Sequence, residues 1–142
     1  MNEFHTRRRV EFADTDMAGI CHFARFFIFM ETAEHECLAS LRVDLMTDDG
    51  EGRKIGWPRV AASCDYLAPA RFGDVLDLRV RLVRRGRTSL TWEHEITRDG
   101  TPIARGAVTT VHCRIGPGGT ATPVPLPAAL LSVSSAPSPL ES

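Results

Sequence analysis

The sequence predicts an α+β domain: one long helix packed on a single curved antiparallel β-sheet of about five strands. Three observations carry this. Apolar residues recur every three or four positions from about His22 to Leu41, the period of one helix face. After Pro58 the chain alternates apolar and polar with period two, the period of a half-buried strand. The strand segments there are joined by short turns, which makes neighbours antiparallel. A chain of 142 residues and 15.7 kDa suits one domain around one core.

Each element follows in order. Val10 and Phe12 alternate with Glu11 and Ala13, so a first strand is expected from about Arg8 to Ala13. A polar turn follows, Asp14-Thr15-Asp16, then Met17-Ala18-Gly19. In the helix, Phe23, Phe26, Phe27, Met30, Ala33, Cys37, Leu38 and Leu41 share a face, and Ile28 and Phe29 widen it. So broad an apolar surface predicts a helix wrapped by the sheet. Asp48 to Gly56 reads as a loop. Strands are expected over Arg59 to Leu67, around Leu76, Leu78, Val80 and Leu82, and through Leu90, Trp92, His94 and Ile96. Arg85-Gly86-Arg87 is a turn, and Asp99-Gly100 is a hairpin signal. A last long strand is expected from Pro102 to Ile115, and a helical turn over Pro127 to Leu131. Residues 1–131 make the domain. Residues 132–142, rich in Ser and Pro, are expected to be a disordered tail.

Composition excludes several classes. The formal net charge is -1, without the basic excess of a nucleic-acid binder. Cys21, Cys37, Cys64 and Cys113 are scattered and form no CxxC pair, so reduced thiols are expected, with no metal site and no cofactor. Residues 1–9 are not followed by an apolar signal core, and no run reaches the roughly 20 apolar residues of a membrane span. A cytoplasmic location is expected. GxSxG and a Walker loop are absent, and Glu34-His35-Glu36 lacks the second histidine of HExxH.

The chemistry concentrates in Asp14-Thr15-Asp16-Met17-Ala18-Gly19, just ahead of the helix. A helix start offers unpaired N–H groups that polarise a carbonyl. A carboxylate beside that carbonyl attacks it or activates water. On spacing alone, a helix cap or a plain turn is the stronger reading for either aspartate, and physics alone does not overturn it.

The segment resembles the signature of the 4-hydroxybenzoyl-CoA thioesterase family, which includes the Tol-Pal-associated acyl-CoA thioesterases. Its Asp-x-Asp-x-x-Gly pattern is matched by Asp14, Asp16 and Gly19, followed by His22, Phe23 and Phe26. The resemblance continues through Cys64-Asp65-Tyr66-Leu67-Ala68-Pro69-Ala70-Arg71-Phe72-Gly73-Asp74 and Arg87-Thr88-Ser89-Leu90, covering about Arg8 to Ile115. It implies a hot-dog fold and acyl-CoA hydrolysis. It further implies Asp16 as the catalytic carboxylate, and substrate contacts at Gly19 and at the Phe23 N–H, with the His22 N–H close by. Sites between two subunits are implied, hence a homodimer or homotetramer.

Where many relatives carry Asn or a Tyr-His pair, this chain has Cys21-His22-Phe23. His22 is therefore a candidate to orient water or contact the carbonyl, or a simple helix-start residue. Arg84, Arg85 and Arg87 cluster at a turn beside Ser89. The family resemblance suggests Arg85, Arg87 and Ser89 as coenzyme A contacts, and a solvated turn stands equally beside it. Glu31 is expected in a salt bridge, Trp57 and Trp92 in packing, and His94 as a satisfied core histidine. Besides hydrolysis, a thioester dehydratase using His22 and a non-catalytic acyl-thioester binder both stay open.

Overall fold

A computed structural model describes residues 3–133. The long helix forms as α1, Arg25–Ser40, and buries Phe26, Phe29, Met30, Ala33, Cys37 and Leu38. It starts three residues later than the periodicity suggests. Phe23, counted on the apolar face, is exposed. At the other end, the Arg42 and Val43 N–H groups bond Ala39 and Leu38 carbonyls, a Schellman closure that holds Arg42 at φ 60°. No helix among the described residues is long and apolar enough to cross a membrane.

Five antiparallel strands form the main sheet: β1 (Glu3–Arg9), β4 (Arg59–Tyr66), β5 (Val75–Arg85), β6 (Ser89–Arg98) and β7 (Thr101–Val111). Their order is β1-β5-β6-β7-β4. Leu76, Leu78, Val80 and Leu82 of β5, with Leu90, Trp92, His94 and Ile96 of β6, face the helix as the alternation requires. Asp99 (φ 48°) and Gly100 (φ 81°) make the tight turn into β7. The helix sits close on β7 because Gly106 has no side chain. A Cβ there would lie 2.5 Å from the Met30 sulfur and 2.7 Å from the Ser63 carbonyl oxygen.

Three expectations are corrected. The first strand is Glu3–Arg9, not Arg8 to Ala13. Asp14 closes a 3-10 turn, accepting the Glu11 N–H at 2.8 Å, and Phe12 is left exposed instead of facing the core. Asp48 to Gly56 is not all loop. β2 (Thr47–Asp48) and β3 (Lys54–Gly56) join β8 (Cys113–Ile115) and β9 (Ala121–Pro123) in a second sheet, ordered β2-β3-β8-β9. The last long strand accordingly breaks at His112, whose N–H bonds the Thr88 carbonyl and whose ring lies against Trp57. Strands of two or three residues leave no period to read.

α2 (Ala128–Leu131) forms at the expected helical turn. Packed chain continues through Val133, which is buried with Leu126 and Leu130, two residues beyond the expected domain limit. Residues 134–142 of the expected tail lie outside the described residues. Glu31 does pair with Arg59, at 3.3 Å. His94 is in the core, fully buried, and among the described residues neither ring nitrogen makes a hydrogen bond, so its partner is the Glu34 carboxylate at ion-pair distance. Its Nε2 stands 3.6 Å from Oε1 of Glu34, beyond hydrogen-bond length.

Candidate active site

The two aspartates are chemically alike and the fold separates them. Asp14 is 2% exposed, and its carboxylate takes an ion pair from Arg25 at 2.7 Å together with the Glu11 N–H. It is a structural anchor for the start of α1. Asp16 is exposed and makes no ion pair among the described residues. One oxygen, Oδ1, accepts the Ala18 N–H at 2.8 Å, which orients the carboxylate and leaves Oδ2 for a substrate or a water.

Backbone bonds set the loop that carries Asp16. Thr15 and Cys21 form an antiparallel bridge, and between them the Asp16 N–H bonds the Ile20 carbonyl while the Gly19 N–H bonds the Asp16 carbonyl. This reversal needs φ +78° at position 19, which glycine adopts without strain. The Cys21 N–H then bonds the Ala70 carbonyl at 2.7 Å, fixing the loop to the chain that follows β4.

The next turn starts the helix. His22 stands two residues before Ala24, the N-cap of α1. Its carbonyl accepts the Arg25 N–H at 3.0 Å and its Nδ1 accepts the Ala24 N–H at 3.1 Å. Among the described residues the Phe23 N–H has no intrachain acceptor. Tyr66, at the end of β4, donates its hydroxyl to the Phe23 carbonyl at 2.9 Å and sets its ring edge-on to Phe26.

These elements line an open cavity of about 590 Å³ beside Asp16, walled by Phe23, Phe26, Tyr66, Leu67 and Pro69. That size and apolar lining suit a small organic group. Cys21 also lines it, but burial, reinforced by the Asp14 and Asp16 carboxylates, pushes its thiol up to about 11. Cys21 is therefore a thiol at neutral pH and not a nucleophile. Burial, and then Cys64, raise Tyr66 above its ordinary value, so it remains the phenol that donates to Phe23.

Asp16, Gly19, His22 and Phe23 are thus brought together. Arg85, Arg87 and Ser89 are not. They sit at the far end of β5 from Val75, and the Asp74 carbonyl just before Val75 accepts the Val10 N–H near the Asp16 loop. Eleven strand residues, roughly 30 Å, lie between. Arg85 donates to the Leu130 and Val133 carbonyls and so closes the end of α2. The Arg87 carbonyl accepts the Leu126 N–H, and its side chain is exposed. The site residues not singled out from the sequence are Tyr66 and the Leu67–Ala70 wall. Their signal was present, since both fall within the Cys64–Asp74 stretch that carried the family resemblance.

The family model 4HBT, thioesterase superfamily, matches residues 18–105, more than half of the chain. The chain belongs to the thioesterase superfamily. Its relatives within curated proteins include a 1,4-dihydroxy-2-naphthoyl-CoA hydrolase of Synechococcus elongatus, 26% identical over 112 residues, 79% of this chain and 81% of that one. Among solved structures, a 1,4-dihydroxy-2-naphthoyl-CoA thioesterase from Synechocystis superposes with a TM-score of 0.80 at 27% identity, covering 92% of this thioesterase and 93% of its counterpart. A gentisyl-coenzyme A thioesterase superposes with a TM-score of 0.74 at 28% identity, covering 91% and 98%. The architecture of this thioesterase, one long helix against a five-stranded antiparallel sheet, is the hot-dog fold of that family. It is a thioester hydrolase.

Proposed function

We propose that this thioesterase hydrolyses acyl-CoA thioesters of hydroxylated aromatic acids, with Asp16 as the catalytic carboxylate. The observation that carries the reading is the unpaired Asp16 carboxylate at an aromatic-walled cavity that also holds Phe23, whose N–H has no intrachain acceptor. Phe23, Phe26 and Tyr66 suit a flat ring, which packs edge-on or offset against aromatic walls. The three named relatives are a pair of 1,4-dihydroxy-2-naphthoyl-CoA hydrolases and a gentisyl-coenzyme A thioesterase, whose substrates carry hydroxylated aromatic acyl groups, in keeping with this choice.

In the reaction the Phe23 N–H hydrogen-bonds the thioester oxygen, and negative charge develops there as the carbonyl carbon becomes tetrahedral. Asp16 either adds to that carbon or takes a proton from the water that does. The C–S bond then breaks, coenzyme A leaves as its thiolate, and water supplies the oxygen and proton that give the free acid.

Two features support a dimer. β4 is an edge strand, exposed along most of its length, and it ends in Tyr66 at the cavity. Exposed Val60, Phe23 and Leu67 lie on or beside it. Pairing of β4 with a second copy would satisfy the edge and cover this apolar surface. The Arg87 turn would then reach coenzyme A only from another subunit. Four free cysteines suit the reducing cytoplasm.

The test is thiol release from a panel of aromatic, short-chain and long-chain acyl-CoAs. Hydroxybenzoyl or hydroxynaphthoyl thioesters should exceed aliphatic ones by about tenfold or more in kcat/KM. Asp16→Asn should lower kcat by roughly 10³-fold without loss of fold. A wild-type rate in Asp16→Asn, or a preference for aliphatic chains, overturns the reading.

A further inference from the structure

We infer that His22 is a positioning residue and not an acid or base in the reaction: its Nδ1 lone pair accepts the Ala24 N–H and so leaves the neighbouring Phe23 N–H, just ahead of α1, as the donor offered to the substrate. This inference rests on the hydrolase reading and assigns the role of the histidine that the motif left open.

Every other polar group of the residue is engaged except one nitrogen. The His22 N–H bonds the Asp14 carbonyl at 2.8 Å and its carbonyl accepts the Arg25 N–H at 3.0 Å. Nδ1 accepts the Ala24 N–H at 3.1 Å. A ring nitrogen that accepts a hydrogen bond carries no proton, so the neutral ring bears its proton on Nε2. Neither nitrogen is then available as a base, because Nδ1 is occupied and Nε2 is protonated. An imidazolium would have no lone pair to offer, so the cap requires the neutral ring.

The ring also stacks on Phe23, with centroids 4.5 Å apart and planes at 28°. Phe23 is thus held from three directions, and the peptide that carries its N–H is fixed by the Arg25 N–H on the His22 carbonyl. His22 caps the residue after Phe23, the His22 ring covers the Phe23 side chain, and the Tyr66 hydroxyl holds the Phe23 carbonyl. The titratable and charged groups around this turn are Asp14, Asp16 and Cys21 on the loop, Arg25 on α1 and Tyr66 on β4. Asp14 and Arg25 neutralise each other. A donor fixed before the substrate arrives needs no reorganisation as charge develops on the thioester oxygen.

Nitrogen-15 and carbon-13 NMR of the histidine ring, with kinetics of two variants, tests this. The neutral His22 ring should be the Nε2–H tautomer with an unprotonated, hydrogen-bonded Nδ1. His22→Ala should lower kcat about tenfold with KM changed less than about threefold. His22→Asn, whose side-chain oxygen caps the same N–H, should recover kcat to within about threefold of wild type although it has no imidazole. An Nδ1–H tautomer overturns the proposal. So does His22→Asn as slow as His22→Ala, which would place the imidazole in the chemistry, or His22→Ala at the wild-type kcat. Wild-type protein that releases no thiol from any acyl-CoA, yet shows the Nε2–H tautomer, would sink the hydrolase reading and the kinetic consequence while leaving the cap in place.

Discussion

The hydroxyl of Tyr66 donates to the backbone carbonyl of Phe23 across 2.9 Å, joining the end of β4 to the turn that starts α1. The two residues also both line the cavity beside Asp16. Tyr66→Phe keeps the ring against Phe26 and removes this bond together with the hydroxyl's contact with the Cys64 thiol. The expected stability loss is about 1 kcal/mol or less, since the side chain is half exposed. The kcat/KM should fall by about three- to tenfold, because the Phe23 peptide loses one of its supports. Unchanged kcat/KM would show that the bond has no part in positioning that peptide.

Asp14→Ala should behave oppositely to Asp16→Asn. It strips Arg25 of its partner and leaves the Glu11 N–H uncapped. A loss of about 2–4 kcal/mol is expected in urea melts, reduced from the fully buried case because Arg25 is 38% exposed. Asp16→Asn should melt like wild type. Equal destabilisation by the two variants would refute the division of labour between them.

Gly106→Ala should destabilise by about 1–3 kcal/mol. The new methyl group meets the Met30 sulfur and the Ser63 carbonyl oxygen at separations no packed carbon tolerates. Met30→Ala in the same chain should relieve only part of the strain, because the Ser63 oxygen belongs to the β4 backbone and cannot turn aside. Thermal melts of the single and double variants check this, and a Gly106→Ala protein as stable as wild type would contradict it.

Asp74 gives a pH dependence of known sign. The Arg71 N–H, and against some burial the Arg98 guanidinium at 2.7 Å, hold its carboxyl below the ordinary value of 3.8. A carboxyl lowered in the folded state stabilises above its unfolded value and loses that contribution as pH falls through its folded one. The stability gap between wild type and Asp74→Asn should therefore be constant near neutrality and shrink once pH drops below about 4. A gap that persists or widens in acid would assign the effect of the substitution to packing instead of charge.

How much of this was legible beforehand differs from element to element. α1 was visible because sixteen residues repeat one period long enough to define a face, and β5 and β6 because Leu76 to Leu82 and Leu90 to Ile96 alternate cleanly. The Asp99-Gly100 turn was visible because few residue pairs adopt positive φ at both positions. The second sheet was not, since its four strands are two or three residues long and are held by partners as distant as Lys54 and Ile115. The Arg8 to Ala13 alternation misled because the Asp14 carboxylate reaches back and turns the chain before Phe12 can face inward.

The site divides in the same way. Local sequence determined the Asp-x-Asp-x-x-Gly loop, the helix behind it and the chemical types available there, because turn geometry and helical period depend on near neighbours. Which aspartate is an anchor and which is free was decided by Arg25, eleven residues away in the chain and 2.7 Å away in space. The cavity was decided by Tyr66, forty-three residues from the carbonyl it holds. The separation of the Arg85–Ser89 turn from Asp16 was decided by the length and register of β5. Two carboxylates with the same intrinsic chemistry acquire different roles only through the charges and the solvent that reach them, and that is a property of distance in three dimensions, which the order of residues along the chain does not carry.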